Sequence, residues 1–226
     1  VHSKIRCKVF ARFIVLYLAF YQQFIPLKFS PRKLLRLPQQ ALFTDNHLTF
    51  ILIYESVVLL ILVWFLKKRG WSFTQLGVTP KWKSTFIGIG LFIATWIAWI
   101  LVYVALVALF PVIQEIEQSR TSTPSSLALW RIALVSMLNP VYESLFVCGY
   151  VVTFFKKSNN LWIAVLISTV IRTAYHLYQP LSGILSVFLI GLIFAYVYAK
   201  TNRLWAVIVA HGIFDFTGLL AYSLQS

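Results

Sequence analysis

Acidic residues are scarce in this chain, with six Asp and Glu among 226 residues, and only 12% of the sequence is charged. Soluble domains carry about 25% charged residues to cover their exterior, so a water-soluble globular domain is excluded. Cysteine is nearly absent: Cys7 and Cys148 are too few and too differently placed for a disulfide framework, and no Cys/His pattern has zinc-site spacing. Redox chemistry is therefore not expected. There is no Asn-x-Ser/Thr acceptor, no prenylation signal at the C-terminus and no His-Glu-x-x-His motif. Internal repeats and low-complexity tracts are also missing. What the sequence has in abundance is apolar residues, 60% of the total, with a mean hydropathy of +0.81. These features define a polytopic membrane protein.

Crossing about 30 Å of hydrocarbon takes roughly 20 apolar residues. Such runs occur at Leu48–Leu66, Phe86–Phe110, Ser126–Phe155, Leu161–Tyr178, Leu181–Ala199 and Leu204–Leu224. The third is too long for one straight span, and Pro140 is expected to kink it or divide it. A weaker run, Phe13–Phe29, is interrupted by Gln22 and Gln23 and preceded by Lys4, Arg6, Lys8 and Arg12. No small-residue cleavage site follows, so it reads as an uncleaved anchor or interfacial helix. The expected fold is all-α, a polytopic transmembrane bundle of about six to eight helices. Residues 1–125 supply N-terminal membrane helices and basic loops; residues 126–226 form a catalytic-type helical core within the same integral membrane domain.

Basic residues orient the bundle. Lys67, Lys68, Arg69, Lys81 and Lys83 share one connection, Lys156 and Lys157 lie two crossings later, and Lys200 and Arg203 two crossings later again. Short loops rich in Lys and Arg stay cytoplasmic, which puts these three on one side. Lys28, Arg32, Lys33 and Arg36 break the pattern. The net charge of +14 lies mostly beside span ends, where attraction to anionic lipid accounts for it and no nucleic-acid partner is needed. Trp64, Trp71, Trp82, Trp162 and Trp205 sit near span ends as interfacial anchors, and Arg131 is expected to snorkel to the outer interface. The expected location is a prokaryotic cytoplasmic membrane.

Five ionisable residues interrupt the apolar runs of the C-terminal half: Glu143, Arg172, His176, His211 and Asp215. A charge in hydrocarbon costs at least about 2.5–3.5 kcal/mol on insertion scales, so such residues face a bundle interior and mark a functional site. At 1.5 Å per residue, Glu143 is roughly 20 Å from Lys156, His176 roughly 22 Å from Leu161 and His211 roughly 12 Å from Arg203. All three are expected to meet at middle depth. His211 and Asp215, four apart, share a helix face. A carboxylate with two imidazoles has what amide hydrolysis requires: the carboxylate takes a proton from water, and a histidine donates to the oxyanion or the leaving nitrogen. Glu55, in an earlier span, shows no partner in sequence and reads as a helix-contact carboxyl.

The segment Asn-Pro-Val-Tyr-Glu-Ser-Leu-Phe-Val-Cys-Gly-Tyr (139–150), then His176, then His211-x-x-x-Asp215 resembles the three motifs of the CPBP superfamily, the CAAX protease and bacteriocin-processing (abortive-infection) intramembrane proteases. That pattern is Glu-Glu-x-x-x-Arg after a proline, Phe-x-x-x-His, and His-x-x-x-Asn/Asp on successive helices. The resemblance covers about residues 126–220. It implies that Glu143 activates the attacking water, while His176, His211 and Asp215 support the oxyanion and the water. The chain departs from the pattern at three positions: Ser144 stands for the second glutamate, Cys148 for the arginine and Arg172 for the phenylalanine. The paired loss of one acid and one base is nearly charge-neutral, and Arg172, one turn before His176, is expected to replace the missing cation by reaching Glu143 or Asp215.

The leading expectation is thus an intramembrane endopeptidase acting on a membrane-associated protein or peptide. No cofactor is assigned; zinc held by Glu143, His176 and His211 stays open because these groups are zinc ligands. Ser144 or Cys148 as nucleophile, a catalytically impaired scaffold or regulator that binds another membrane protein, and a proton-coupled carrier are the alternatives.

Overall fold

The computed structural model describes residues 43–118, 125–156, 160–177 and 179–225. The apolar run at 13–29 and its basic flanks lie outside these residues. The described chain is helical: α1 (Asp45–Lys68), α2 (Trp82–Leu109), a short α3 (Val112–Gln118), α4 (Leu129–Glu143), a π-helical run (Ser144–Val152), α5 (Thr153–Lys156), α6 (Leu161–Tyr175), α7 (Leu181–Thr201) and α8 (Leu204–Ser223). No strand occurs among the described residues. The protein is an all-α helix bundle. Five helical stretches, with α4 through α5 counted as one, are long and apolar enough to cross a membrane; α6 is apolar but shorter. Each of the six expected runs coincides for most of its length with a helical stretch.

The long stretch Leu129–Lys156 forms the centre of the bundle, with 67% of its apolar window buried against 6% for α2. It packs on α1, α6, α7 and α8, while α2 lies against α8. Gly88 permits that contact, because a Cβ there would fall 2.7 Å from the Ala206 carbonyl oxygen and the Val209 Cβ. Small residues let membrane helices approach in this way, since lipid tails offer no hydrophobic force to press them together. Trp64, Trp82 and Trp162 are exposed on the outside of the bundle. Trp205 donates to Thr85 and Trp71 packs on Tyr150.

At one end, the N–H groups just ahead of the central stretch find partners on its neighbours. Ala128 N–H donates to Asp45 Oδ1 (3.0 Å) and Leu127 N–H to Ser223 Oγ (2.9 Å). Arg131 caps the same end through an ion pair with Asp45 (2.6 Å) and a hydrogen bond to Thr49 Oγ1. At the opposite end the basic connections gather. Asn202 donates its side-chain amide to the Gln75 carbonyl, Trp205 N–H to the Gly77 carbonyl, and Lys156 Nζ to the Ala199 carbonyl. Gly77 has φ +73°, and a Cβ there would overlap the Asn202 carbonyl oxygen at 1.8 Å, so this join accepts only glycine.

Pro140 neither breaks the central stretch nor leaves it α-helical. The chain passes through Pro140 inside α4 and continues, from Ser144, as nine π-helical residues, all buried. Proline has no N–H for the i−4 carbonyl, and a wider i→i+5 register is one way for a helix to pass such a defect unbroken. A second correction concerns α6, whose helix stops at Tyr175, so that His176 caps the end of the helix and does not lie within a span reaching Tyr178.

Candidate active site

Glu143 is the last residue of α4, where the α register gives way to the π run. Opposite it, α8 comes unusually near: a Cβ on Gly212 would lie 2.9 Å from the Ser136 carbonyl oxygen and 3.7 Å from Pro140 Cγ. That close approach brings the neighbouring His211 against the central helix. His211 Nε2 is 3.7 Å from Glu143 Oε2 and 3.4 Å from Asp215 Oδ1, and its Nδ1 is 3.4 Å from Ser144 Oγ. Glu143 is 3% exposed and His211 6%, so protein surrounds both.

Each carboxylate is further held by a donor. Tyr175 Oη donates to Glu143 Oε2 at 2.9 Å, and Asn139 Nδ2 donates to Asp215 Oδ2 at 2.8 Å. Tyr175 and Asn139 were not singled out from the sequence. Their signal was nevertheless present: one is a polar tip in an apolar run beside His176, the other an amide directly before Pro140. Four helical elements thus converge, with α4 giving Asn139 and Glu143, the π run Ser144, α6 Tyr175 and α8 His211 and Asp215.

His176 joins this group from the end of α6. Its ring packs on Tyr175, centroids 4.6 Å apart, and its Nδ1 is 3.0 Å from the Arg172 carbonyl oxygen. A carbonyl can only accept, so this bond assigns the imidazole proton to Nδ1. The terminal carbonyls of a helix lack intrahelical partners, and His176 supplies one of them.

The remaining candidates fall elsewhere. Cys148 is a buried free thiol in the π run, where Ser168 Oγ bonds the adjacent Val147 carbonyl; no contact to a histidine is found for it among the described residues. Arg172 is 2% exposed, and its expected ion pair with Glu143 or Asp215 does not form: no carboxylate comes within 4 Å of its guanidinium among the described residues. The group lies instead over the Phe194 ring, 5.8 Å from its centroid. Glu55 is buried on the inner face of α1, with Oε2 unbonded.

A metal held by Glu143, His176 and His211 does not fit this arrangement. Among the described residues no group of three or more His, Cys, Asp or Glu side chains is placed to hold a metal ion.

Chemically the site offers a buried carboxylate and an imidazole too far apart to bond directly yet near enough for one water to touch both. Residues 125–217 match the family model described as type II CAAX prenyl endopeptidase Rce1-like. No curated protein and no solved structure matches the chain. The matched segment contains every residue of the cluster, from Asn139 to Asp215, and over that segment the chain is similar to the Rce1-like family, consistent with the CPBP superfamily whose motifs it resembles.

Proposed function

We propose that the protein is an intramembrane endopeptidase that hydrolyses a peptide bond of a membrane-associated protein or peptide, with the basic loops on the cytoplasmic side. The observation that carries this reading is the sharing of Glu143 Oε2 between Tyr175 Oη at 2.9 Å and His211 Nε2 at 3.7 Å inside a protein-enclosed site. Water between Glu143 and His211 gives up a proton to the carboxylate as its oxygen attacks the carbonyl carbon. The same proton passes to the leaving nitrogen when the tetrahedral intermediate collapses, so the carboxylate is regenerated. A group of this kind contributes about 10²–10⁴-fold.

His211 orients the water and stabilises charge as it develops, Asp215 aligns His211, and Asn139 holds Asp215. His176, whose Nδ1 proton is taken by the Arg172 carbonyl, would donate to the oxyanion only as imidazolium, through Nε2. No step is routed through a metal.

One contact favours a second reading. Ser144 Oγ at one nitrogen of His211 and Asp215 Oδ1 at the other, each at 3.4 Å, form a line of hydroxyl, imidazole and carboxylate. In that version Ser144 would attack and leave an acyl-enzyme.

The test uses the full chain in lipid vesicles with a membrane-anchored peptide, the products being identified by mass. The water mechanism predicts that Glu143→Gln abolishes cleavage, that Ser144→Ala retains it, and that a fluorophosphonate probe leaves no label. Labelling at Ser144 would establish the serine mechanism instead. Absence of cleavage by the unaltered protein across a broad peptide panel would favour a non-catalytic scaffold.

A further inference from the structure

We propose that Arg172 is the receptor for a carboxylate of the bound substrate, an inference that rests on the peptidase reading and specifies the substrate's charge. Arg172 Nε and Nη2 are both buried and neither has a hydrogen-bond partner. These two nitrogens form one edge of the guanidinium, the edge whose two N–H bonds run parallel and match the two oxygens of a carboxylate. The open positions are therefore a complete bidentate fork.

The surroundings hold the fork without satisfying it. The guanidinium rests over Phe194, and a Cβ at Gly191 would come 3.2 Å from Arg172 Cδ, so glycine leaves room for the arginine stem against α7. No Asp or Glu forms an ion pair with Arg172 among the described residues. A buried guanidinium cannot lose its charge, and an unpaired one is costly to keep. Among the described residues no carboxylate pairs with the fork, whereas a bound peptide can bring one.

The backbone of Arg172 also adjoins the reacting groups. The Arg172 carbonyl is held by His176 Nδ1 at 3.0 Å, and Tyr175, three residues on, donates to Glu143. Arg172 lies within electrostatic reach of Glu143 and Asp215. A carboxylate seated on this fork would fix the register of the peptide relative to Glu143. Two sources supply that chemistry, the free C-terminus of the peptide and an Asp or Glu side chain within it.

The experiment measures binding with the Glu143→Gln protein in phosphatidylcholine vesicles, so that no cleavage intervenes. Three probes are compared: N-dodecanoyl-Ala-Leu-Leu with a free carboxylate, the same peptide as its C-terminal amide, and N-dodecanoyl-Glu-Leu-Leu amide. At least one carboxylate-bearing probe is expected to bind about tenfold to a hundredfold more tightly than the uncharged amide. The first probe identifies a terminal source and the third a side-chain source.

Adding Arg172→Gln should reduce the difference to about twofold or less, and Arg172→Lys, which keeps the charge but not the fork, should lose most of it. Thermal unfolding identifies a variant that fails to fold, in which case the lysine variant decides. Equal affinity for all three probes, absence of binding by any of them, or a difference fully kept by Arg172→Lys would overturn the proposal. Cleavage by the unaltered protein is scored separately. Arg172-dependent binding without cleavage would sink the peptidase reading alone; cleavage without the carboxylate preference would sink this inference alone.

Discussion

Replacing Tyr175 by Phe removes one hydroxyl from the site and nothing else. The ring is 3% exposed and the carboxylate it serves is also 3% exposed, so bulk water has little access to replace the lost donor. The bond is short, 2.9 Å, and runs to the same Oε2 that faces His211. Hydrogen bonds to charged groups contribute about 1.5–3 kcal/mol, and at 1.4 kcal/mol per tenfold the variant should lose about 10- to 150-fold in rate. The loss should appear in kcat for cleavage of a membrane-anchored peptide in vesicles, with KM changed by no more than about twofold, because the hydroxyl holds the base and not the peptide. Thermal unfolding in the same vesicles would show that the bundle is intact. A folded Tyr175→Phe protein with unchanged kcat would refute the assignment of Glu143 Oε2 as the organised end of the base.

Asn139→Leu deprives Asp215 Oδ2 of its donor at 2.8 Å; cleavage should fall by about tenfold or more, and an unchanged rate would separate Asp215 from the mechanism. Gly77→Ala should lower the unfolding midpoint by several degrees, since strained left-handed backbone costs about 1–3 kcal/mol and the added Cβ overlaps the Asn202 carbonyl oxygen. An unaltered midpoint would mean that the 77–202 join is not formed. EDTA should leave cleavage unchanged, because Glu143, His176 and His211 do not form a metal-binding group; loss of activity restored by zinc would contradict that geometry.

The membrane spans were legible because hydropathy alone dictates them: lipid admits only long apolar helices with their backbone bonds made internally. The grouping of basic loops followed from charge, and the structure brings residues 75–77, 156 and 199–205 together at one end. The candidate site was legible as a set of costly residues, of which Glu143, His211 and Asp215 converge.

What the sequence could not show depends on helix register. The rise of about 1.5 Å per residue counted between Glu143 and Lys156 assumes an α-helix, whereas Ser144–Val152 runs as a π-helix, with Ser144 beside His211 and no histidine contact for Cys148 among the described residues. Likewise the end of α6 at Tyr175 is not encoded in hydropathy, which continues through Leu177. That early stop makes His176 a cap and follows Tyr175, which bonds Glu143, while Arg172, one turn earlier, lies over Phe194 without an ion pair to the acids it was expected to meet.

The central claim is that Glu143 and His211 act as one unit on a single water. A double-mutant cycle of Glu143→Gln and His211→Ala, read as kcat/KM for peptide cleavage in lipid vesicles, tests it most directly. Members of one catalytic unit are strongly non-additive, so each single variant should fall nearly to the level of the double variant. Multiplying losses would show two independent contributions, and cleavage surviving in Glu143→Gln at the original rate would contradict the account outright.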